Sequence, residues 1–229
     1  LVCVWGDSTK DDLIYKKIPN DKIKICGNPN IDYLFDKISS FDRKKLLDKY
    51  NLDKNKKYIL YTTQPLTLNQ KTKAANCIFL AVSKLQGYSL IISLHPRDTD
   101  NKLYLSLAKN FNLDLKILTF DIHEQIFLAD LVIFQDSTLG LDVLCLGKNI
   151  LTFNFTGFED RNNYAKEGVA LAVRSPELME KTIKLILEDK KIQKDIKENV
   201  NKYIQDNAFR FDGKSTMRVY SSIKDILHK

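Results

Sequence analysis

The sequence lacks a hydrophobic run long enough to cross a membrane, and its cysteines follow no metal-binding spacing. No apolar stretch approaches the about 20 residues that a membrane-spanning helix needs. The cysteines lie in apolar surroundings, without any Cys-x-x-Cys pair: Cys3, Cys26, Cys77 and Cys145. This arrangement favours buried free thiols over disulfides or a zinc site. We therefore expect a protein of a reducing compartment, the cytoplasm.

The sequence also lacks an N-terminal signal and any nucleic-acid-binding signature. The opening Leu-Val-Cys-Val-Trp has no basic region before it and no initiating Met, so we expect a piece of a longer protein. The net charge of +7 comes mostly from lysines scattered over predicted helix surfaces and not interleaved with aromatic residues. We expect no nucleic-acid partner. A charge of this kind usually belongs to a solvated surface, and it is also compatible with peripheral contact with the anionic inner face of a membrane or with a phosphorylated substrate.

Short apolar runs do alternate with helical patterns along the chain. The runs predicted to be strands are residues 1–5, 22–26, 57–61, 88–94, 115–118, 131–134, 150–153 and 169–173. This alternation predicts an α/β fold with a Rossmann-like, doubly wound, mostly parallel sheet, followed by Lys- and Glu-rich C-terminal helices. The only domain boundary is predicted between about Gly27 and Ser39.

Residues 131–154 are predicted to form a strand, a tight loop, a buried helix and a second strand. Ser137 or Thr138 is the predicted N-cap of the helix, because its hydroxyl can accept an N–H of the first turn. Free N–H groups at the helix start can bind an anion. Gly140, one turn into the helix, is expected to let a ligand approach the backbone.

Three loops are predicted to meet at one edge of the sheet. They are residues 62–64 (Thr-Thr-Gln), 95–97 (His-Pro-Arg) and 136–138 (Asp-Ser-Thr), and each follows the carboxyl end of a strand. In open α/β sheets ligands bind outside these ends, so the loops predict a single ligand site.

Each candidate at this site also has a simpler interpretation. His95 offers a hydrogen-bond donor to a phosphate and Arg97 a fixed cation, although a histidine can merely cap its strand and an exposed arginine is commonplace. Ser137 and Thr138 can be plain helix caps or ligand contacts. Asp142, the only acid of its helix, either stabilises the helix start or accepts hydrogen bonds from the vicinal hydroxyls of a sugar.

Three other titratable residues are predicted to have structural roles. His123 is predicted to be structural, on a short amphipathic segment. Asp98 and Asp100 are predicted to be ordinary turn residues.

Four sequence elements resemble motifs of one enzyme family. IISLHPR and ADLVIFQDSTLGLDVLCLGKNIL resemble the HP and S(S/T)xGxE/D-type motifs in the C-terminal nucleotide-binding domain of GT-B glycosyltransferases. CGNPNIDYL resembles the G-N-P-x-x-D segment at the interdomain crossing, and FDGKSTMRV resembles the D-G-x-(A/S)-x-x-R element of the final helix. The nearest resemblance is to the capsule-polysaccharide and CDP-glycerol glycerophosphotransferase-like branch. Similar HP and Ser-Gly-Glu elements occur in the non-hydrolysing UDP-N-acetylglucosamine 2-epimerases, which share the fold.

This resemblance implies the domain organisation and a role for each site residue. Residues 1–32 would be the last α/β unit of an N-terminal acceptor domain, and residues 33–229 the nucleotide-donor domain. His95 would be catalytic, and the residues that hold the donor would be Thr63, His95, Arg97, Ser137, Thr138, Gly140 and Asp142, the last of them at the ribose. Asp212 and Arg218 would help to close the C-terminal helices against the donor site. Asp142 departs from the more usual Glu, and Asn149 from a frequent proline.

The implied activity is group transfer in surface-polysaccharide biosynthesis. The donor would be a UDP-, CDP- or CMP-linked sugar or polyol, and the acceptor a carbohydrate or a lipid-linked molecule. No DxD-type motif occurs, so we expect no metal and no cofactor beyond the donor substrate. Three alternatives stay open: a UDP-sugar 2-epimerase-like isomerase that needs no acceptor, a non-catalytic nucleotide- or carbohydrate-binding domain, and a protein-interaction domain of an assembly complex.

Overall fold

A parallel sheet of six strands organises the larger part of the chain in the computed structural model, which describes residues 1–227. The chain divides into two compact units. The first unit consists of residues 1–41 together with the chain from residue 198 onward, and the second consists of residues 42–197.

The strands and helices follow the predicted alternation. The strands are β1 Val2–Val4, β2 Ile23–Ile25, β3 Lys57–Thr62, β4 Tyr88–Ser93, β5 Lys116–Leu118, β6 Leu131–Phe134, β7 Asn149–Phe153 and β8 Leu171–Val173. The helices are α1 Asp7–Tyr15, α2 Pro29–Ile38, α3 Arg43–Lys49, α4 Leu68–Ser83, α5 Asn101–Lys109, α6 Ile122–Leu128, α7 Gly140–Cys145, α8 Met179–Glu188, α9 Lys190–Ala208 and α10 Ser215–Leu227. Short 3-10 turns occupy Asn20–Lys22 and Pro176–Leu178.

The sheet of the second unit has the strand order β5-β4-β3-β6-β7-β8, and all neighbouring strands are parallel. Every residue of β6 is fully buried, which is expected for a parallel strand covered by helices on both faces. The order is that of Rossmann folds, in which the chain reverses direction across the sheet between the first and fourth strands of the unit, here β3 and β6. The predicted α/β, Rossmann-like fold is confirmed.

The first unit contains a helix that the sequence interpretation missed. The segment 27–39 was predicted to be a domain boundary, but Pro29–Ile38 is helical. The Asn28 side chain accepts the N–H of Asn30 at 3.0 Å, and Pro29 occupies the first helical position, where its missing N–H costs nothing. Residues 32 and 33, between which the two domains were predicted to meet, therefore lie within α2.

Helix α2 carries the residue that caps the final helix. The carboxylate of Asp32 accepts the N–H groups of Ser215 at 3.1 Å and Thr216 at 2.7 Å, at the start of α10. Burial alone would raise the pKa of Asp32, but the hydrogen bonds from Thr216 and Ser215 outweigh it and the pKa is lowered. The CGNPNIDYL and FDGKSTMRV segments therefore contact each other inside this unit. The assignment of acceptor and donor domains stays a prediction.

Candidate functional site

The loops after β3 and β4 are joined at the carboxyl edge of the sheet. Thr63 is buried, at 1% exposure, and its N–H donates to the carbonyl oxygen of Ser93 at 2.9 Å. The Thr63 hydroxyl oxygen in turn accepts the N–H of His95 at 2.9 Å. The structure therefore brings together two of the predicted site residues.

The geometry of the His95 turn, residues 95–97, defines which ring nitrogen of His95 can donate a hydrogen bond. The N–H of Arg97 donates to Nδ1 of His95 at 3.1 Å. Because Nδ1 accepts, the neutral imidazole carries its proton on Nε2, which is a hydrogen-bond donor. His95 is half-buried and Arg97 is exposed, and within residues 1–227 the Arg97 guanidinium makes no ion pair. The turn thus presents one N–H and one cation to solvent.

Asp98 was predicted to be an ordinary turn residue, and this prediction is wrong. Its side chain is buried, and its carboxylate accepts hydrogen bonds from Nζ of Lys71 at 2.5 Å and the hydroxyl of Tyr104 at 2.7 Å. Burial raises the pKa of Asp98, but the bonds from Lys71, Tyr104 and Thr63 outweigh it, so the pKa is lowered. Burial also raises the pKa of Tyr104. An ion pair with a buried carboxylate thus lies next to the His95 turn, since the N–H of Asp98 donates to the carbonyl oxygen of His95 at 2.7 Å.

The turn between β6 and α7 differs from the prediction. The helix begins at Gly140, its N-cap is Leu139, and no side chain caps it. The Ser137 hydroxyl oxygen instead accepts the N–H of Leu139 at 3.2 Å, and Thr138 is exposed. Helix α7 has six residues, so its dipole is small and the predicted anion site at its start depends mainly on local hydroxyl and N–H groups.

Gly140 is required by a contact within the protein. A Cβ atom placed at residue 140 would lie 2.3 Å from Cζ of Tyr164. Tyr164 is buried, donates its hydroxyl to the carbonyl oxygen of Ser137 at 2.9 Å and packs edge-on against Phe134. This packing explains the glycine, and any contact of Gly140 with a donor stays a prediction.

Two features at the same edge have no signal in the sequence. The Asp136 carboxylate accepts the N–H groups of Arg161 at 3.0 Å and Asn162 at 3.2 Å, which ties the loop after β7 to the turn after β6. Phe120, after β5, is 63% exposed, and its ring centroid lies 5.6 Å from that of Tyr50. An exposed aromatic ring at a ligand edge is a surface on which a nucleotide base can stack.

Asp142 has a histidine partner. Its Oδ2 lies 3.2 Å from Nε2 of His123, in the first turn of α6. The backbone N–H of His123 donates to Oδ1 of Asp121 at 2.9 Å, and Nδ1 of the ring lies 3.7 Å from the same oxygen. The Asp142 side chain is 28% exposed. The carboxylate is therefore paired with His123 and partly exposed to solvent.

Asp212 and Arg218 lie in the first unit, where they contact each other. The Arg218 guanidinium forms an ion pair with the Asp212 carboxylate and donates to the carbonyl oxygen of Cys26 at 3.3 Å. It also lies over the ring of Phe209, 5.2 Å from the centroid. These contacts hold the start of α10 within its own unit, and the predicted action of both residues on the donor site stays a prediction.

Within residues 1–227, no group of three or more His, Cys, Asp or Glu side chains could hold a metal ion. The described helices include none that is both long enough and apolar enough to span a lipid bilayer.

The fold and the polar carboxyl edge are those of nucleotide-binding Rossmann domains. Residues 1–211 match the family model of UDP-N-acetylglucosamine 2-epimerase. The chain belongs to this family. No curated protein sequence matches the chain.

Solved structures show the same fold at low sequence identity. UDP-GlcNAc 2-epimerase from Neisseria meningitidis, bound to UDP-GlcNAc, has a TM-score of 0.72 and 16% identity over 96% of this chain and 59% of its own. The wall teichoic acid polymerase TagF has a TM-score of 0.64 and 17% identity over 99% of this chain and 58% of its own. The chain thus spans about three fifths of these proteins.

A third similar structure is a single domain. The C-terminal domain of the group 1 glycosyltransferase LpcC from Francisella tularensis has a TM-score of 0.52 and 12% identity over 71% of this chain and 91% of its own. The predicted likeness to half of a GT-B fold is therefore confirmed, while the capsule-polysaccharide branch stays a prediction.

Proposed function

We propose that the carboxyl edge of the second unit binds the nucleoside diphosphate of a nucleotide-activated sugar, and that the protein isomerises a UDP-N-acetylhexosamine at its second carbon. The match of residues 1–211 to the 2-epimerase family carries this proposal. It favours the isomerase, an alternative in the sequence interpretation, over the transferase that the motifs first suggested.

The diphosphate would be held by the loops after β4 and β6. Nε2–H of His95 and the guanidinium of Arg97 provide a donor and a cation, and hydrogen bonds between charged partners are the strong ones. Thr63 would act through His95, whose N–H it accepts. The hydroxyls of Ser137 and Thr138 would provide further donors at the neighbouring turn.

The nucleoside would lie toward α6 and α7. Asp142 would accept hydrogen bonds from the ribose hydroxyls, because its carboxylate is partly exposed at the first turn of α7. The exposed ring of Phe120 would provide a stacking surface for the base. His95 would be the catalytic residue of this chain, since a positioned donor stabilises negative charge that develops on the diphosphate during reaction.

A transferase is the second candidate. The likeness to TagF and to the LpcC domain favours it at the level of the fold, and the HP and Ser-Thr-x-Gly-x-Asp elements are shared by both classes. A transferase would use the same edge, because the nucleoside diphosphate of its donor becomes the leaving group. It would additionally require a carbohydrate or lipid-linked acceptor.

An acceptor-free assay separates the two candidates. The protein that contains this chain is incubated with UDP-N-acetylglucosamine alone. Proton NMR follows the signals of the hydrogens on the first (anomeric) and second carbons of the sugar. We expect conversion to the epimer, and loss of conversion in the His95→Ala variant. If the nucleotide sugar is consumed only when an acceptor is added, and its sugar is transferred to that acceptor, the result would contradict the isomerase and favour the transferase. No consumption of the nucleotide sugar under either condition would contradict both.

A further inference from the structure

The geometry points to His123 as the residue that orients Asp142 for the ribose hydroxyls of the nucleotide, an inference that rests on the proposed function. His123 would be a positioning residue, because it would act on the ligand through Asp142. The sequence pattern had predicted only a structural role for His123.

His123 and Asp142 belong to the two helices that precede and follow β6 in the chain. His123 lies in the first turn of α6, Asp142 lies in the first turn of α7, and both helices begin at the carboxyl edge of the sheet. Nε2 of His123 is 3.2 Å from Oδ2 of Asp142, which is within hydrogen-bonding range. Their side chains are 18% and 28% exposed, so the pair is half-enclosed but open to a ligand.

Asp121 fixes the histidine from the other side. Its Oδ1 accepts the backbone N–H of His123 at 2.9 Å and caps α6. The same oxygen is 3.7 Å from Nδ1 of the ring, which is longer than a hydrogen bond. Of the two carboxylates beside the imidazole, only Asp142 is therefore at hydrogen-bonding distance. A neutral ring protonated on Nε2 donates to Asp142, and so does the charged ring.

This contact occupies one oxygen of the Asp142 carboxylate and leaves the other available. Within the described part of the chain, Oδ1 of Asp142 has no hydrogen-bond partner. An ionised carboxylate has several lone-pair positions, so it can accept from His123 and from a ribose hydroxyl at once. Fixing the carboxylate in advance lowers the entropic cost of binding, because its side-chain torsions need not be ordered by the ligand.

A purely structural link between α6 and α7 would give a different result. Such a link would stabilise the fold, and its loss would weaken all ligands alike. A positioning role predicts instead that the loss depends on whether the ligand has the ribose hydroxyl that Asp142 accepts.

The experiment is a calorimetric titration of the protein that contains this chain. The ligands are UDP and CDP with their 2′-deoxy and 3′-deoxy analogues, and the proteins are the wild type, His123→Ala, His123→Gln, Asp142→Ala and the double variant His123→Ala/Asp142→Ala. Glutamine is the conservative variant because its terminal amide can donate from about the position of Nε2. Thermal melting of each variant controls for folding.

We expect His123→Ala to weaken the better-bound of UDP and CDP about tenfold, the size of one lost hydrogen bond, and to weaken at least one deoxy analogue less than twofold. His123→Gln should recover most of the affinity. The double variant should bind no more weakly than Asp142→Ala, because both substitutions remove the same interaction.

The outcomes separate failure of this inference from failure of the proposed function. An equal loss of affinity for ribose and deoxyribose ligands would show a structural role and overturn the inference. Full affinity in His123→Ala with weakened binding in Asp142→Ala would also overturn it, while supporting the site. No binding of UDP or CDP to the folded wild type would overturn the proposed function and with it the role of His123.

Discussion

At the scale of single residues, the His95 turn shows how local contacts fix the orientation and the tautomer of a side chain. The Arg97 N–H accepted by Nδ1 sets the tautomer, and the Thr63 hydroxyl accepts the backbone N–H of His95. The sequence identified His95 as a candidate because a histidine follows a buried strand and precedes a proline. It could not reveal the tautomer, since that depends on where one backbone N–H points.

Gly140 and Gly147 are required for different reasons, which substitution can separate. Alanine at 140 would place its Cβ against the Tyr164 ring, whereas at 147 nothing lies within 4 Å but φ is +67°. We expect Gly140→Ala to lower the free energy of unfolding by about 1–3 kcal/mol, as overpacking does. Gly147→Ala should cost about 1 kcal/mol for the left-handed backbone.

Asparagine is the matched control, because it tolerates the left-handed conformation. Gly147→Asn should recover stability relative to Gly147→Ala, while Gly140→Asn should be at least as unstable as Gly140→Ala. Urea unfolding of all four variants measures these differences. Recovery by asparagine at both positions would contradict the assignment of Gly140 to the contact with Tyr164.

Residue-scale errors arise where the partner lies far along the chain. Asp98 follows a strand in a stretch rich in Asp and Thr, which is typical of a turn, but Lys71 in α4 and Tyr104 in α5 enclose its carboxylate. The packing of Gly140 against Tyr164 could not be predicted for the same reason, since Tyr164 belongs to the loop after β7. No local sequence pattern predicts contacts between residues that lie so far apart in the chain.

At the scale of elements, the buried ion pair of Asp98 links the β4–α5 turn to α4 and α5. We expect Asp98→Asn to destabilise the protein by about 3–5 kcal/mol at pH 7, because the Lys71 ammonium, 14% exposed, loses its carboxylate partner. Asp100→Asn, in the same turn but exposed, is the control and should change stability little.

The stabilisation by Asp98 should disappear in acid. Its pKa is lower in the folded protein than the value of about 3.9 in an unfolded chain, so the folded state favours the charged form. The contribution is complete above the unfolded pKa and is lost as the pH falls through the folded pKa. Urea unfolding at pH 7 and pH 3 measures it. A gap between wild type and Asp98→Asn that widens toward pH 3 would contradict this account.

Helix α10 depends on a cap that comes from α2. We expect Asp32→Ala to cost about 1–2 kcal/mol, as the loss of an N-cap does, and to speed amide hydrogen exchange at Ser215 and Thr216. Asp36→Ala, on an exposed position of the same helix, is the control. Unchanged exchange at these two amides in Asp32→Ala would contradict the capping role.

The strands were predictable and one helix was not. All eight strands found in residues 1–227 lie where apolar runs predicted them, because buried parallel strands carry continuous apolar residues. Helix α2 was missed because residues 27–39 were interpreted as a domain boundary, although Asn before Pro is also a helix-start signal. The contact of α2 with α10, in which Asp32 caps the start of α10, joins residues far apart in the sequence and has no local signal.

At the scale of the whole molecule, the motifs predicted the fold, which is confirmed, whereas the nucleotide-activated ligand stays a proposal. The motifs did not separate an isomerase from a transferase, because similar HP and Ser-Gly-Glu elements were expected in both. The family match favours the isomerase. The difference between the reactions lies in groups that meet the sugar and the acceptor, which these motifs do not contain.

The proposed function requires that the carboxyl edge around His95 and Asp142 bind a nucleoside diphosphate. The most direct test is a calorimetric titration of the protein that contains this chain with UDP, CDP and CMP, repeated on His95→Asn and Asp142→Ala. Asparagine can keep an acceptor for the Arg97 N–H, so the turn should persist while the Nε2–H donor is lost.

We expect that one diphosphate binds best, that CMP binds more weakly, and that each substitution lowers the affinity about 10- to 100-fold without changing the melting temperature. Equal binding of the preferred diphosphate by the wild type and both variants, or no binding of any nucleotide by the folded wild type, would contradict it.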